Sequence, residues 1–202
     1  MTGSHPDLAP PMPAEIAALR DSREPQWVFV YGSLLWDNEF PDAKAEPALL
    51  RGYHRSFCLY SYDYRGTPAR PGLVLGLDRG GSCRGMVLRL STEALDRVWQ
   101  REMSGRRVYQ GRLVPVLAGG CTNKKALAFT VLRSCADYAG RLSLDQAARK
   151  ILGAAGRRGT CHDYFERTLR HLEQLGFVDR PLIALAERVK ALAAEPLRHE
   201  AI

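Results

Sequence analysis

The apolar residues of this chain change their period once, near Ser143, and that change excludes most architectures. Before it come runs rich in β-branched and aromatic residues: WVFVY at 27–31, RGYHRSFCLYS at 51–61, GLVLGLD at 72–78, CRGMVLRL at 83–90, RVYQGRLVPVLAG at 107–119 and KKALAFTVLRS at 124–134. Each reads as a strand, by alternation or by continuous apolar character. After it come LSLDQAARKILGAAG, HDYFERTLRHLEQLG and DRPLIALAERVKALAAE, three stretches with the 3.6-residue period of amphipathic helices. Strands in the first two thirds and helices in the last third argue for an α+β fold, not a repeated βαβ unit. A mixed or antiparallel sheet, curled toward a barrel, is the expected arrangement.

One helix interrupts the strands. STEALDRVWQREMS (91–104) opens on Ser91 and Glu93, a capping pattern, and places Leu95, Val98 and Trp99 on one face. The turn-prone RGG between GLVLGLD and CRGMVLRL predicts a β-hairpin. Two prolines and two glycines make 62–72 a structured loop, and Gly153, Gly156 and Gly159 a connector after a helix. Residues 1–25 read as a tail with a short helix in 11–23. Without repeat or linker beyond it, 26–202 is expected to be a single domain.

Several function classes are set aside by what the chain lacks. No run approaches the ~18 apolar residues of a membrane span, and the N-terminus does not have the basic-then-apolar order of a signal peptide. Cytoplasmic location is the expectation. The five cysteines, Cys58, Cys83, Cys121, Cys135 and Cys161, are an odd number without a C-x-x-C pair, so free thiols are expected. The five histidines form no H-x-x-x-H cluster, so no protein-built metal site is expected. The formal charge is +7, yet the basic residues are scattered and form no stripe interleaved with aromatics. That pattern describes a solvated surface and no nucleic-acid partner, and its field suits a small anionic substrate.

Two local features stand out once G-x-S-x-G, P-loop and G-x-G-x-x-G motifs are absent. The first is Tyr31-Gly32-Ser33-Leu34-Leu35-Trp36, where a buried strand runs into a turn. Gly32 would permit positive φ, and successive N–H groups in such a turn form a concavity suited to a carboxylate. The second is Arg101-Glu102-Met103 at a helix C-terminus, where the macrodipole disfavours a negative charge and raises a carboxyl pKa. From residue types alone, an ordinary strand-ending turn and a surface Glu paired with Arg101, Arg106 or Arg107 are the favoured explanations of these segments.

VFVYGSLLW (28–36), RGYHRSFCLYSYDYRGTPARPGLVLGLD (51–78), VWQREM (98–103) and DYAG (137–140), in that order, resemble the ChaC-like γ-glutamylcyclotransferases. The resemblance runs from about Trp27 to about Gly176. It implies a small mixed barrel with flanking helices, needing no cofactor, and the conversion of a γ-glutamyl peptide, typically glutathione, to 5-oxoproline and cysteinylglycine. It also implies that Tyr31, Gly32, Ser33 and Leu34 cradle the γ-glutamyl head, that Glu102 is the acid/base, and that Tyr109, Tyr138 and Tyr164 line the pocket. DYAG in place of the more usual NYLG, and the basic pair Arg106 and Arg107, depart from the family pattern. Those arginines would either lower the pKa of Glu102 or bind the glycine carboxylate of glutathione. The competing readings are the same ring closure on another γ-glutamyl amine or dipeptide, and a non-catalytic regulator of cation transport. Activity is expected to survive chelation and exhaustive dialysis, since no metal-ligand spacing is visible. A loss of 5-oxoproline release that one divalent ion restores would contradict this.

Overall fold

The computed structural model describes residues 8–22, 24–37, 39–119 and 122–195. The first seven residues of the expected tail and Cys121 lie outside them. The chain divides into two compact units: residues through Arg55 with Gly76–Tyr138, and Ser56–Leu75 with the residues from Ala139 onward.

Strands β1 (Gln26–Val30), β2 (Lys44–Ser61), β3 (Gly72–Leu90), β4 (Tyr109–Ala118) and β5 (Thr122–Val131) close a barrel in the order β1-β3-β2-β4-β5. The barrel is mixed. Strand β1 runs antiparallel to β3, with Val28 opposite Leu88, and parallel to β5, with Val28 opposite Leu127. Antiparallel partners complete it: Leu49 faces Leu117 between β2 and β4, and Tyr109 faces Val131 between β4 and β5. The mixed barrel expected from the resemblance is therefore present.

In the first unit, α1 (Ala14–Asp21) and α2 (Thr92–Met103) supply the apolar cover for one face of the sheet. Ser91 caps α2: its hydroxyl accepts from the Ala94 N–H and donates to Glu93. The buried face of α2 carries Leu95, Val98, Trp99 and Met103, which cluster with Val28 and Val30 of β1, Leu127 and Phe129 of β5, and Ile16 of α1. Trp99 also donates its indole N–H to the Pro10 carbonyl at 2.7 Å, and Arg20 of α1 forks onto Asp96 at 2.8 and 2.9 Å.

The hairpin expected from the RGG turn is not formed. Gly72–Leu90 is one long strand. Gly80 and Gly81 both have positive φ, which bends a strand without ending its pairing. His54 of β2 remains in contact with the Gly80 carbonyl through that bend, at 3.0 Å.

The second unit contains α3 (Leu144–Gly153), a two-stranded ribbon β6 (Ala155–Gly156) and β7 (Gly159–Thr160), α4 (Cys161–Gln174) and α5 (Arg180–Ala194). Gly153 thus ends inside α3, and Gly156 and Gly159 face each other in the ribbon. Ser143 and Gln146 form a capping box on α3, while Thr160 and Asp179 cap α4 and α5. The 62–71 loop is ordered against this ribbon: Arg157 and Arg158 donate backbone N–H groups to the carbonyls of Asp63 and Tyr64. The buried Cys161 thiol donates to the Leu73 carbonyl and accepts from its N–H. Burial pushes that thiol up to about 11. Cys58, Cys83 and Cys135 are likewise free thiols.

Gly111 of β4 is where α1, α2 and the barrel meet most closely. A Cβ there would lie 2.5 Å from Cζ3 of Trp99 and 3.1 Å from Cδ1 of Ile16. Gly111→Ala is expected to overpack this contact and cost roughly 1–3 kcal/mol, read as a lower urea midpoint. An unchanged midpoint would show that α2 yields freely at this point.

Candidate active site

The turn after β1 is built from the strand outward. Val28 and Val30 anchor β1 in the core, and Tyr31 is buried with its hydroxyl on the Phe129 carbonyl at 2.9 Å. Arg55, only 2% exposed, donates from Nε to the Tyr31 carbonyl at 2.7 Å and from Nη2 to the Arg84 carbonyl at 2.6 Å. A buried guanidinium bonded to both carbonyls makes the end of β1 a fixed point. The chain then enters a short 3-10 turn, Ser33–Leu35. The Gly32 carbonyl accepts from Leu35 N–H, and the Ser33 carbonyl accepts from Trp36 and Asp37 N–H. Among the described residues, the N–H groups of Ser33 and Leu34 donate to no backbone carbonyl. Gly32 has φ −131°. The expected positive φ is absent, so a left-handed backbone is not why glycine stands there.

Helix α2 brings Glu102 to this turn through its neighbour Arg101. The guanidinium contacts Glu39 through Nη1 at 2.5 Å, Asp37 through Nη2 at 2.6 Å, the Ser33 hydroxyl through Nη2 at 2.8 Å, and Glu102 through Nε at 3.2 Å. The Glu102 side chain is 18% exposed. Burial pushes its carboxyl above the ordinary range; the charge and hydrogen bond of Arg101 pull it back, and the nearby negative charges of Glu39 and Asp37 add to the rise. The upward direction agrees with the expectation from the helix terminus, but its main cause is burial. Asp37 and Glu39 were invisible in the sequence pattern. They fall in an irregular stretch where no periodicity marks an acidic residue as facing inward.

Arg106 does not approach Glu102 in the way its sequence position suggests. It forks onto Asp137, which is 5% exposed. The two departures from the family pattern, Arg106 and the Asp of DYAG, are therefore partners. Arg107 is exposed. The adjoining Tyr138 donates its hydroxyl to Asp78 at 2.8 Å, and Arg133 meets the other oxygen of the same carboxylate at 2.6 Å. Burial works to raise the Asp78 pKa, yet Arg133, Tyr138 and the Arg79 N–H outweigh it and hold the carboxyl below its usual range. Tyr109 opens β4 and packs on the α2 core cluster, as do Leu34 and Leu35. Arg101 thus links Ser33 to Glu102 at the end of α2, Leu34 and Tyr109 pack on the cluster that includes Met103, and Tyr31 is held by Phe129 of that cluster. Tyr138 is fixed separately through Asp78. Tyr164 belongs to the second unit, edge-on to Phe57 and beneath the Arg65 guanidinium.

The sequence profile described as ChaC-like protein matches residues 26–192. The chain belongs to the ChaC-like family. This ChaC-like chain is 32% identical over 187 residues to the glutathione-specific gamma-glutamylcyclotransferase of Escherichia coli, covering 90% of this chain and 80% of that protein. It is 29% identical over 180 residues to gamma-glutamylcyclotransferase 2-3 of Arabidopsis thaliana, covering 84% and 90%. A solved gamma-glutamyl cyclotransferase specific to glutathione, from yeast, shares the fold with a TM-score of 0.75 at 20% identity, covering 83% of this chain and 96% of that one.

A groove of about 750 Å³ between α4 and α5 is floored by Leu169, Leu172, Phe177, Leu182 and Ile183 and contains none of the residues above. Among the described residues no helix is long and apolar enough to cross a membrane, and no group of three His, Cys, Asp or Glu side chains is placed to hold a metal.

The Asp78 cluster makes a pH prediction. A depressed carboxyl pKa contributes stability that is present above the unfolded value, ~3.9 for Asp, and is lost as pH falls through the folded value. Asp78→Asn is expected to cost roughly 1–3 kcal/mol at pH 7 and clearly less near pH 3, by denaturant titration. An equal loss at both pH values would show that the charge of Asp78 is not what holds Tyr138.

Proposed function

We propose that this chain is a cytoplasmic γ-glutamylcyclotransferase that converts glutathione to 5-oxoproline and cysteinylglycine, with Glu102 as its proton carrier. One observation carries the reading. In a ChaC-like chain, a largely buried carboxyl with an elevated pKa stands one guanidinium away from the Ser33 hydroxyl of the turn that follows β1. Relatives named for this reaction support the choice of substrate.

The substrate brings its own nucleophile, the α-amine, five atoms from closing a ring on its γ-carbonyl. Such built-in proximity is worth roughly 7–11 kcal/mol in well-oriented cases. The amine arrives as ammonium and cannot attack. The Glu102 carboxylate takes one proton from it, and the freed lone pair forms the C–N bond to the γ-carbonyl carbon, whose oxygen takes up the displaced electron pair. As the tetrahedral centre collapses, the Glu102 carboxyl gives that proton to the cysteinyl nitrogen and that C–N bond breaks; the second proton on the ring nitrogen passes to the departing amine, which leaves as an ammonium while the lactam keeps one N–H. A carboxyl with a raised pKa suits both steps, because its proton affinity lies nearer that of the groups it serves. Ser33 and Leu34 N–H groups hold the α-carboxylate or the developing oxyanion. Tyr31, Tyr109 and Tyr138 shape the wall around the γ-glutamyl head, and Gly32 leaves room for it. No nucleic acid, metal or organic cofactor enters this scheme.

Glu102→Gln is expected to keep the fold and lose about 10²- to 10⁴-fold in turnover. N-acetyl-glutathione, with its amine blocked, is expected to be inert. Both are read as 5-oxoproline release, with γ-glutamyl-alanine run beside glutathione to define the substrate. Turnover of the acetylated peptide would refute internal ring closure, and release of free glutamate would mean that water is the attacker.

A further inference from the structure

We propose that Asp37 and Glu39 are positioning residues that draw the Arg101 guanidinium onto their own oxygens and leave Glu102 only an edge contact, so that Glu102 can serve as a proton carrier. This inference rests on Glu102 having that role. Its basis is the division of one cation among three anions. Arg101 spends its two terminal nitrogens on Glu39 at 2.5 Å and Asp37 at 2.6 Å, and reaches Glu102 only through Nε, at 3.2 Å. An arginine that saturated Glu102 with a two-pronged bond would lock it as a carboxylate. Here both prongs are occupied elsewhere.

Burial follows the same order. Side-chain exposure is 36% for Asp37, 30% for Glu39, 25% for Arg101 and 18% for Glu102. The two anions that hold Arg101 face water, while the carboxyl left with the weaker contact is the most enclosed. The charged groups facing Glu102 are Arg101 from α2 and Asp37 and Glu39 from the segment after the turn. The Ser33 hydroxyl is the neutral member of the cluster, and Arg106 is engaged by Asp137. Negative charge at 37 and 39 acts on Glu102 twice: directly, by like-charge repulsion, and by compensating Arg101. Both effects favour the protonated carboxyl, and both disappear when the anions are made neutral. The same contacts tie the turn to the end of α2, so the substrate cradle and the proton carrier are held by one guanidinium.

The test is the acid limb of kcat/KM for 5-oxoproline release from glutathione, measured for wild type, Asp37→Asn, Glu39→Gln, the double variant and Arg101→Gln. Without the anions, Arg101 holds Glu102 more firmly as a carboxylate, and the limb of the double variant moves to lower pH by about one unit or more. Each single replacement moves it part of the way, which keeps the test intact if the double variant does not fold. Arg101→Gln moves the limb in the opposite direction, to higher pH. A merely structural role would lower stability and rate without opposed shifts. Limbs within 0.2 unit of wild type in all folded variants, with Glu102→Gln inactive, overturn the role of Asp37 and Glu39 and leave the catalytic reading standing. Activity in Glu102→Gln overturns that reading instead.

Discussion

Helix α2 lies on the barrel because Leu95, Val98, Trp99 and Met103 need an apolar partner, and the outward residues of β1 and β5 provide it. Burial of four large side chains at about 25 cal/mol per Å² is the main force holding the first unit together. It also sets the one distance on which the chemistry rests. The helix stops at Met103, where Ser104 takes an extended conformation, and its last turn therefore falls beside the chain leaving β1. Glu102 neighbours Met103, which is in the core; it is enclosed because the helix is docked there. Gly111 shows how tight the docking is, since nothing larger than a hydrogen fits beneath Trp99.

Enclosure brings electrostatic costs that the structure meets in different ways. Arg55 is bonded to carbonyls, Asp137 to Arg106, and Asp78 to Arg133 and Tyr138. Asp137 and Asp78 each meet an opposite charge, and Arg55 meets carbonyl acceptors, as buried polar groups require. Glu102 differs. Its cationic neighbour Arg101 is shared with two other carboxylates, and burial is left in control of its proton affinity. Unequal treatment of neighbouring carboxyls separates an acid/base from structural anions. The same logic explains the family departures: an Asp at 137 is tolerated in a buried place because position 106 supplies the opposite charge.

Much of the architecture was legible in the residues. The switch of period near Ser143, the capping residues Ser91 and Ser143, and the alternation of the strands determine which segments are helix and which are strand. They do so through local backbone sterics and amphipathicity, which act over a few residues. The RGG segment misled for a physical reason. Consecutive glycines favour a turn in an isolated chain, but inside a sheet the neighbouring β2 keeps the strand paired, and the glycines become a bend. The candidate site was legible in part. YGSL and REM, with the other motifs, pointed to Ser33 and Glu102.

Sequence by itself determined most of the elements and the absence of metal-ligand spacing, and its resemblance to a family singled out one carboxyl. Tertiary structure alone decided what surrounds that carboxyl. Asp37 and Glu39 lie more than sixty positions from Arg101 in an aperiodic stretch, and Asp137 lies thirty-one positions from Arg106. No local rule links such residues, because electrostatic energy depends on distance and burial after folding and not on separation along the chain. For the same reason the helix-end dipole predicted the right direction for Glu102 from the wrong cause. A dipole can be read from one helix, whereas desolvation exists only once β1, β5 and the turn have closed around it.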